Sequence, residues 1–219
     1  MKSRSIRVVT FVFIAALAVS NATAQTGSEH HLQMDLRNSS FLGNGPPDPN
    51  FQVRVSLYEK AWMLETVSST TPREGKFYSE VGGGMFLKRT PKTWLLAVGY
   101  TSQNHKNERL LIAGGEFFHF GPRFSWAFPV IRYEHGISGP PSKTFALVAN
   151  PLFRFKAGGR FGIAPDVSLR KTLNKSLAWN AGTGVKWFPA KRHSVEAGVF
   201  RNSQGFWSLR ARSTLNFMF

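Results

Sequence analysis

The sequence predicts an all-β fold: an antiparallel, up-and-down transmembrane β-barrel of about ten strands, with eight or twelve as the alternatives. Three observations predict it. From Phe51 onward, segments of about ten to fourteen residues alternate apolar and polar side chains with period two, as a strand with unlike faces does. The links between them alternate between tight turns and longer stretches. Beyond the first 24 residues no stretch is apolar enough for a membrane helix. A membrane protein made from the remainder has to be a closed barrel, because only closure then pairs every backbone group in lipid.

The first segment reads as an export signal. Lys2, Arg4 and Arg7 form a basic start, Val8 to Val19 is apolar, and Ala22-Thr23-Ala24 offers the small residues that a signal peptidase reads. Residues 1–24 are thus expected to be a signal peptide, cleaved near Ala24-Gln25 after Sec-type export. The apolar run is too short to span a bilayer, which takes roughly twenty residues. Residues 25–50 are expected to form a tail and linker, with glycine and proline gathered in 41–50. The barrel takes 51–219. The chain has no cysteine, which excludes a disulfide scaffold and a cysteine metal site.

The first barrel segment is ambiguous. Phe51, Val53, Val55 and Leu57 alternate, Glu59 breaks the parity, and Trp62 and Leu64 resume on the other one. A bulge accounts for this, and so does a tight hairpin at Glu59-Lys60. His31 to Asn38 also alternates, with Leu32, Met34 and Leu36 on one face. Adding it and the hairpin would make twelve strands. Single-chain bacterial barrels usually have an even number, and ten is the count that leaves residues 25–50 outside.

Later strands follow at about 76–88, 93–103, 108–120 and 123–135. Phe77, Val81, Met85 and Leu87 form the apolar face of the first, and Trp94, Leu96, Val98 and Tyr100 that of the second. Phe145, Leu147, Ala149, Phe153 and Phe155 oppose Asn150, Arg154 and Lys156. Phe161, Ile163, Val167 and Leu169 oppose Gly162, Asp166 and Arg170. Leu177, Trp179, Ala181, Val185 and Trp187 oppose Asn180, Gly182, Gly184 and Lys186. Val195, Ala197 and Val199 oppose Ser194, Glu196 and Gly198. In the last segment Trp207, Leu209, Ala211, Leu215, Phe217 and Phe219 share one parity, and Arg210 and Arg212 the other. A helix would scatter those arginines onto the apolar face.

Tight turns are expected at Thr90-Pro91-Lys92, Gly121-Pro122, Gly158-Gly159 and Pro189-Ala190-Lys191, where turn residues stand. The links between them are 102–107, 136–142, 172–174 and 202–205, and two of these are longer, including Gly136 to Pro141. That asymmetry fits short periplasmic turns and longer outside loops.

On these residues the chain resembles the small bacterial outer-membrane β-barrels, a broad group with adhesin-like, porin-like and lipid A-modifying members. The resemblance covers about 51–219 and the signal peptide, and its most specific element is the ending Ser213 to Phe219. It implies that Leu215, Phe217 and Phe219 are the assembly signal read by the barrel-assembly machinery. It also implies contact with outer-membrane lipid and lipopolysaccharide. Trp94, Trp126, Trp179, Trp187, Phe188, Phe206 and Trp207 lie near strand ends, where headgroup-level aromatics belong.

Net charge is +16, and the signal takes three of the 28 bases and none of the 12 acids, leaving +13. Export argues against nucleic acid as the reason. Lys76, Lys106, Arg109, Lys143, Lys171, Lys175 and Arg201 fall at the expected outer strand ends and form a basic rim facing lipopolysaccharide phosphates. Glu80, Glu116, Asp166 and Glu196 with Arg154, Lys186, Arg210 and Arg212 fall on the expected inner face as a charge-paired lumen plug in which acids and bases of adjacent strands neutralise each other, the alternatives being a charged constriction or a catalytic carboxylate pair. Gly82-Gly83-Gly84 lies within a strand pattern, with no helix after it. It is no phosphate loop and instead makes room for a bulky neighbour.

The only catalytic candidates are His135, Ser138 and Glu134, by analogy with lipid A deacylases, whose His-x-Ser spacing on a late strand is missing: the region reads Val199-Phe200-Arg201-Asn202-Ser203. No metal-ligand spacing and no cofactor motif is present. The expected role is structural or surface-binding, the alternatives a narrow anion-favouring channel and a lipid A-directed hydrolase at the rim.

Overall fold

The computed structural model describes residues 30–42, 50–71, 75–139, 143–155 and 159–218. They form twelve strands: β1 (His31–Leu42), β2 (Asn50–Tyr58), β3 (Trp62–Thr71), β4 (Lys76–Arg89), β5 (Thr93–Asn104), β6 (Arg109–His119), β7 (Phe124–Ser138), β8 (Lys143–Arg154), β9 (Phe161–Thr172), β10 (Leu177–Ala190), β11 (His193–Asn202) and β12 (Trp207–Met218). Each pairs antiparallel with its neighbour in sequence, and β1 pairs β12 from His31/Met218 to Leu42/Trp207. The sheet is a closed barrel without a free edge.

Twelve strands replace the expected ten. The two extra ones come from places where the sequence signal was present but divided. The parity change at Glu59 is a hairpin: the Glu59 N–H donates to the Trp62 carbonyl at 2.8 Å, and β2 and β3 pair from Phe51/Thr70 to Tyr58/Met63. The stretch assigned to the tail holds β1, whose Leu32, Met34 and Leu36 point outward while Gln33, Asp35 and Arg37 point into the lumen. Without β1, the whole ladder edge of β12 would stand unpaired. The signal peptide, the link 43–49, Gly158 and the terminal Phe219 lie outside the described residues.

The two ends of the barrel are the terminal rim, where β1 begins and β12 ends, and the far rim. Links at the terminal rim run from two to six residues and those at the far rim from four to seven. The expected contrast between short turns and long loops is therefore slight. Two far-rim turns are built alike: Asn104 Oδ1 accepts from the Lys106 and Glu108 N–H groups, and Asn202 Oδ1 from those of Gln204 and Phe206.

Outward faces carry the expected apolar residues, among them Leu64, Val81, Met85, Phe145, Phe161, Val185, Trp187 and Leu209, all exposed. β5 is the exception. Its apolar side chains turn into the lumen, where Leu96 is 0 % and Tyr100 1 % exposed. The reason lies on the neighbouring strands, where glycines stand opposite: Tyr100 faces Gly82, and Val98 faces Gly84 and Gly114. A Cβ on Gly82 would stand 2.6 Å from the Tyr100 ring. Room on the lumen side draws the large side chains inward. Trp94 goes with them, packed on Tyr58 at 5.3 Å and Phe120 at 4.8 Å, so it is no part of an outward aromatic girdle.

Candidate functional site

The lumen has two unlike walls. Along β2 to β6, Tyr58, Met63, Leu96, Val98, Tyr100 and Ile112 form a buried apolar cluster, with Phe86, Trp94, Leu110 and Phe118 packed against it. Packing of that kind excludes water from this side. Acids stand at its margin. Glu80 takes two hydrogen bonds from Arg132 of β7, at 3.1 and 3.2 Å, and one from the Tyr78 hydroxyl at 2.7 Å. Glu116 lies 3.8 Å from the same guanidinium. Glu65 accepts from Ser56 at 2.8 Å and lies 3.7 Å from Arg54.

The opposite wall is basic. Continuous register places Arg37 opposite Arg212, Arg212 opposite Glu196, Glu196 opposite Lys186, Lys186 opposite Gly162 and Gly162 opposite Arg154. Directly paired residues project to the same face, so this row crosses half the barrel from β1 to β8 on the lumen side. Arg212 is neutralised by Asp35 at 2.7 Å, and Arg210, two rungs away, by Asp166 at 2.7 Å. Arg37, Arg154 and Lys186 have no carboxylate within 4.0 Å among the described residues. Arg154 instead lies over the Phe188 ring at 4.3 Å, with the Lys186 ammonium at 5.7 Å from it. Nε of Arg154 and Nε of Arg210 are buried donors without an acceptor.

All eight expected lumen charges face the interior, and the ion pairs run both between adjacent strands, as Arg212 with Asp35 and Arg54 with Glu65, and across the lumen. Glu80 and Arg132 lie three strands apart, as do Asp166 and Arg210. Sequence reading missed Asp35, Arg37, Arg54, Glu65, Arg132 and Arg170 as members. The first four sit on strands it had left outside or joined into one. The β7 bulge, with register shifts between Gly115 and Phe118 and between Ala127 and Val130, hides the parity of Arg132.

The catalytic candidates are not brought together. Glu134 is a buried lumen residue bonded by Arg170. His135, next to it in the strand, points to the other face and is exposed. The Ser138 hydroxyl is engaged with the chain, accepting from the Arg109 N–H at 3.1 Å and donating to the Asn107 carbonyl at 3.2 Å. Among the described residues no three His, Asp or Glu side chains converge as a metal would need. Lys76, Lys106, Arg109, Lys143, Lys171, Lys175 and Arg201 all lie exposed at the far rim. Leu215 and Phe217 stand on the outward face of β12, opposite Met34 and Leu32.

No family model and no curated protein matches the sequence. Among solved structures the chain is similar to the KdgM porin, with a TM-score of 0.64 at 12 % identity over 84 % of this chain and 99 % of that one. A structure of the KdgM porin in complex with disordered oligogalacturonate gives 0.63 at 13 % identity, over 85 % and 99 %. An outer-membrane channel from Pseudomonas putida F1 gives 0.54 at 10 % identity, over 90 % and 98 %. The fold is that of a bacterial outer-membrane β-barrel. The full length of these barrels is matched, and in such a fold the outward face meets lipid while the wall encloses the lumen.

Proposed function

We propose that the protein is a narrow, anion-favouring channel of the bacterial outer membrane, delivered there by a cleaved signal and the barrel-assembly machinery. The basic row carries this reading. It places Arg37, Arg154 and Lys186, cations without a carboxylate within 4.0 Å among the described residues, along the wall opposite the apolar cluster. Water still reaches parts of this lumen: the side chains of Arg54 and Arg212 are 37 % and 21 % exposed. A passage bounded by low-dielectric walls focuses the field of such unpaired charges, so anions are concentrated and cations repelled. The oligogalacturonate held by the KdgM porin suggests short acidic sugar chains as solutes to try. Planar-bilayer recording tests the proposal. The expected result is a reversal potential of anion sign in a potassium chloride gradient, and partial block by oligogalacturonate. Folded protein that conducts nothing would sink it.

A structural or surface-binding role is the second reading, favoured by the filled half of the lumen and by the exposed far-rim bases, which suit lipopolysaccharide phosphates. The same recording separates the two.

A further inference from the structure

Outward charge at the far rim gathers on one side of the barrel. Ladder pairing sets Leu111 beside His135 and His135 beside Lys143. Two residues further into the wall it sets Tyr133 beside Phe145 and Phe145 beside Lys171. These positions share the outward apolar face, and so does Arg109, two residues from Leu111. Arg109, His135, Lys143 and Lys171 are all exposed. They stand on four adjacent strands, β6 to β9, next to one another directly or diagonally, with Cβ atoms about 5–8 Å apart. Lys106 and Lys175, in the turns that bound these strands, extend the row at either end. The outward far-rim ends of β2, β3, β4, β5 and β12 carry Phe51, Thr70, Phe77, Gln103 and Trp207 instead, and Arg201 of β11 lies over the Trp207 ring at 5.6 Å.

Among the described residues none of these four has a carboxylate within 4.0 Å. The acids nearest them in sequence are engaged elsewhere: Glu108 accepts from Asn104 at 2.7 Å, and Glu134 faces the lumen, bonded by Arg170. Like charges side by side on a sheet repel and destabilise it, so the row calls for an anion from outside the chain. Lys171 shows at what level. Its strand position is opposite Phe145, yet its ammonium reaches the Lys175 carbonyl in the turn. The stem lies along the wall and the head stands at the rim. One of its three donors is used there, and two are left.

Below the bases the same face is apolar. Phe145 is 61 % exposed with the Tyr133 ring at 5.1 Å, and Leu111 and Ile131 are exposed beside them. The row of bases spans three interstrand spacings, about 14 Å, room for two separated phosphates above several acyl chains. We propose that the outward face of β6 to β9 at the far rim is a site for one lipid A molecule. Its phosphates lie against Arg109, Lys143 and Lys171, with His135 between them, and its acyl chains lie on Tyr133 and Phe145. The site is one face and one molecule, in place of a diffuse contact around the whole rim. It rests on the barrel lying in the outer membrane with the far rim outside, and not on its conducting ions.

The full barrel in dodecylmaltoside micelles, shown to be folded by heat-modifiable migration on a gel, is titrated with lipid A, and bound lipid is counted by native mass spectrometry. The expected result is saturable binding of one lipid A per barrel, about tenfold or more tighter than that of dephosphorylated lipid A or phosphatidylglycerol. Each base at such a surface contributes severalfold in affinity, so Lys143→Gln/Lys171→Gln should weaken binding about tenfold or more. Lys88→Gln/Lys191→Gln, which removes two exposed bases at the terminal rim, should leave binding within about twofold. Should the first variant not fold, Arg109→Gln takes another base from the same row and is expected to weaken binding about fivefold. Equal binding of either control lipid, unaltered binding in the β6–β9 variants, or an equal loss in the terminal-rim variant overturns the proposal. So does a dimer that excludes lipid A and that Lys143→Gln/Lys171→Gln dissociates, since a second copy would then be the occupant. Planar-bilayer conductance is recorded alongside. A conducting barrel that binds no lipid A would sink this site alone, and a lipid A-binding barrel that conducts nothing would sink the channel reading alone.

Discussion

The Arg210 guanidinium lies 3.8 Å from the centre of the Phe200 ring while donating to Asp166 at 2.7 Å. On the other wall Arg132 repeats the arrangement, 4.9 Å from the Tyr100 ring with Glu80 at 3.1 Å. Each ring stands opposite a glycine, Gly182 or Gly82, on the neighbouring strand. A desolvated cation over a ring contributes up to about 2 kcal/mol, in addition to burial of the ring itself. Phe200→Ala is therefore expected to cost about 3–5 kcal/mol, and Phe200→Tyr, which keeps the ring, under about 1.5 kcal/mol. Urea unfolding in lipid vesicles, followed by tryptophan fluorescence, measures both.

The glycine under the ring is equally specific. A Cβ on Gly182 would stand 2.3 Å from the Val199 carbonyl oxygen and 2.4 Å from the Phe200 ring, whereas one on Gly99 meets nothing nearer than 3.9 Å. Gly182→Ala should destabilise by about 1–3 kcal/mol and Gly99→Ala by no more than about 0.5 kcal/mol. Similar losses at the two positions in the same unfolding assay would contradict the packing described.

Arg132 neutralises two buried acids, Glu80 at 3.1 Å and Glu116 at 3.8 Å. Arg132→Met leaves both without it and is expected to cost about 3–5 kcal/mol. Adding Glu80→Gln removes one of the stranded charges. The double variant should recover part of that loss, and simple additivity in a double-mutant cycle would refute the coupling.

Membership of β1 in the wall can be read from two adjacent positions. Met34 points outward opposite Val55 and Leu215, and Gln33 points inward opposite Ser56 and Asn216. In lipid, Met34→Arg should cost about 2–4 kcal/mol if it lies near the membrane midplane, and Gln33→Arg less than about 1 kcal/mol. The reverse order would place β1 outside the barrel or in another register.

Selectivity has its own test. Replacing Arg37 and Lys186 together by Gln removes two cations of the basic row that have no carboxylate within 4.0 Å among the described residues. The reversal potential should then move toward zero, and raising the salt toward 1 M, where the Debye length falls to about 3 Å, should erode the parent's preference in the same direction. An unchanged potential in the variant would separate selectivity from this row.

The outward surface was largely legible in the sequence, because an apolar residue at every second position is a local signal that survives wherever the strand runs straight. Phe77 to Leu87 and Trp207 to Phe217 show it. The lumen was legible only where its residues were charged and their strand unbroken, as for Arg210, Arg212 and Glu196. On β5 both parities are free of charge, so nothing within Trp94 to Tyr100 says which face turns inward. That is decided by glycines on β4 and β6, more than ten residues away. Arg132 was lost to a bulge that resets parity in mid-strand, and Asp35 to a strand too short of apolar residues to be separated from a linker. The row of Arg109, His135, Lys143 and Lys171 depends on register between strands, which no single segment contains.

The links at both rims, two to seven residues long, have a consequence for how this molecule meets its surroundings. Links of that length leave little chain between strands to stand out from the wall. An antibody or a phage tail fibre needs a protruding epitope to grip, and a protease needs a stretch of chain that can enter its cleft. Links of two to seven residues offer little of either. Recognition from outside then falls to the charged side chains of the rim itself and to the mouth of the lumen.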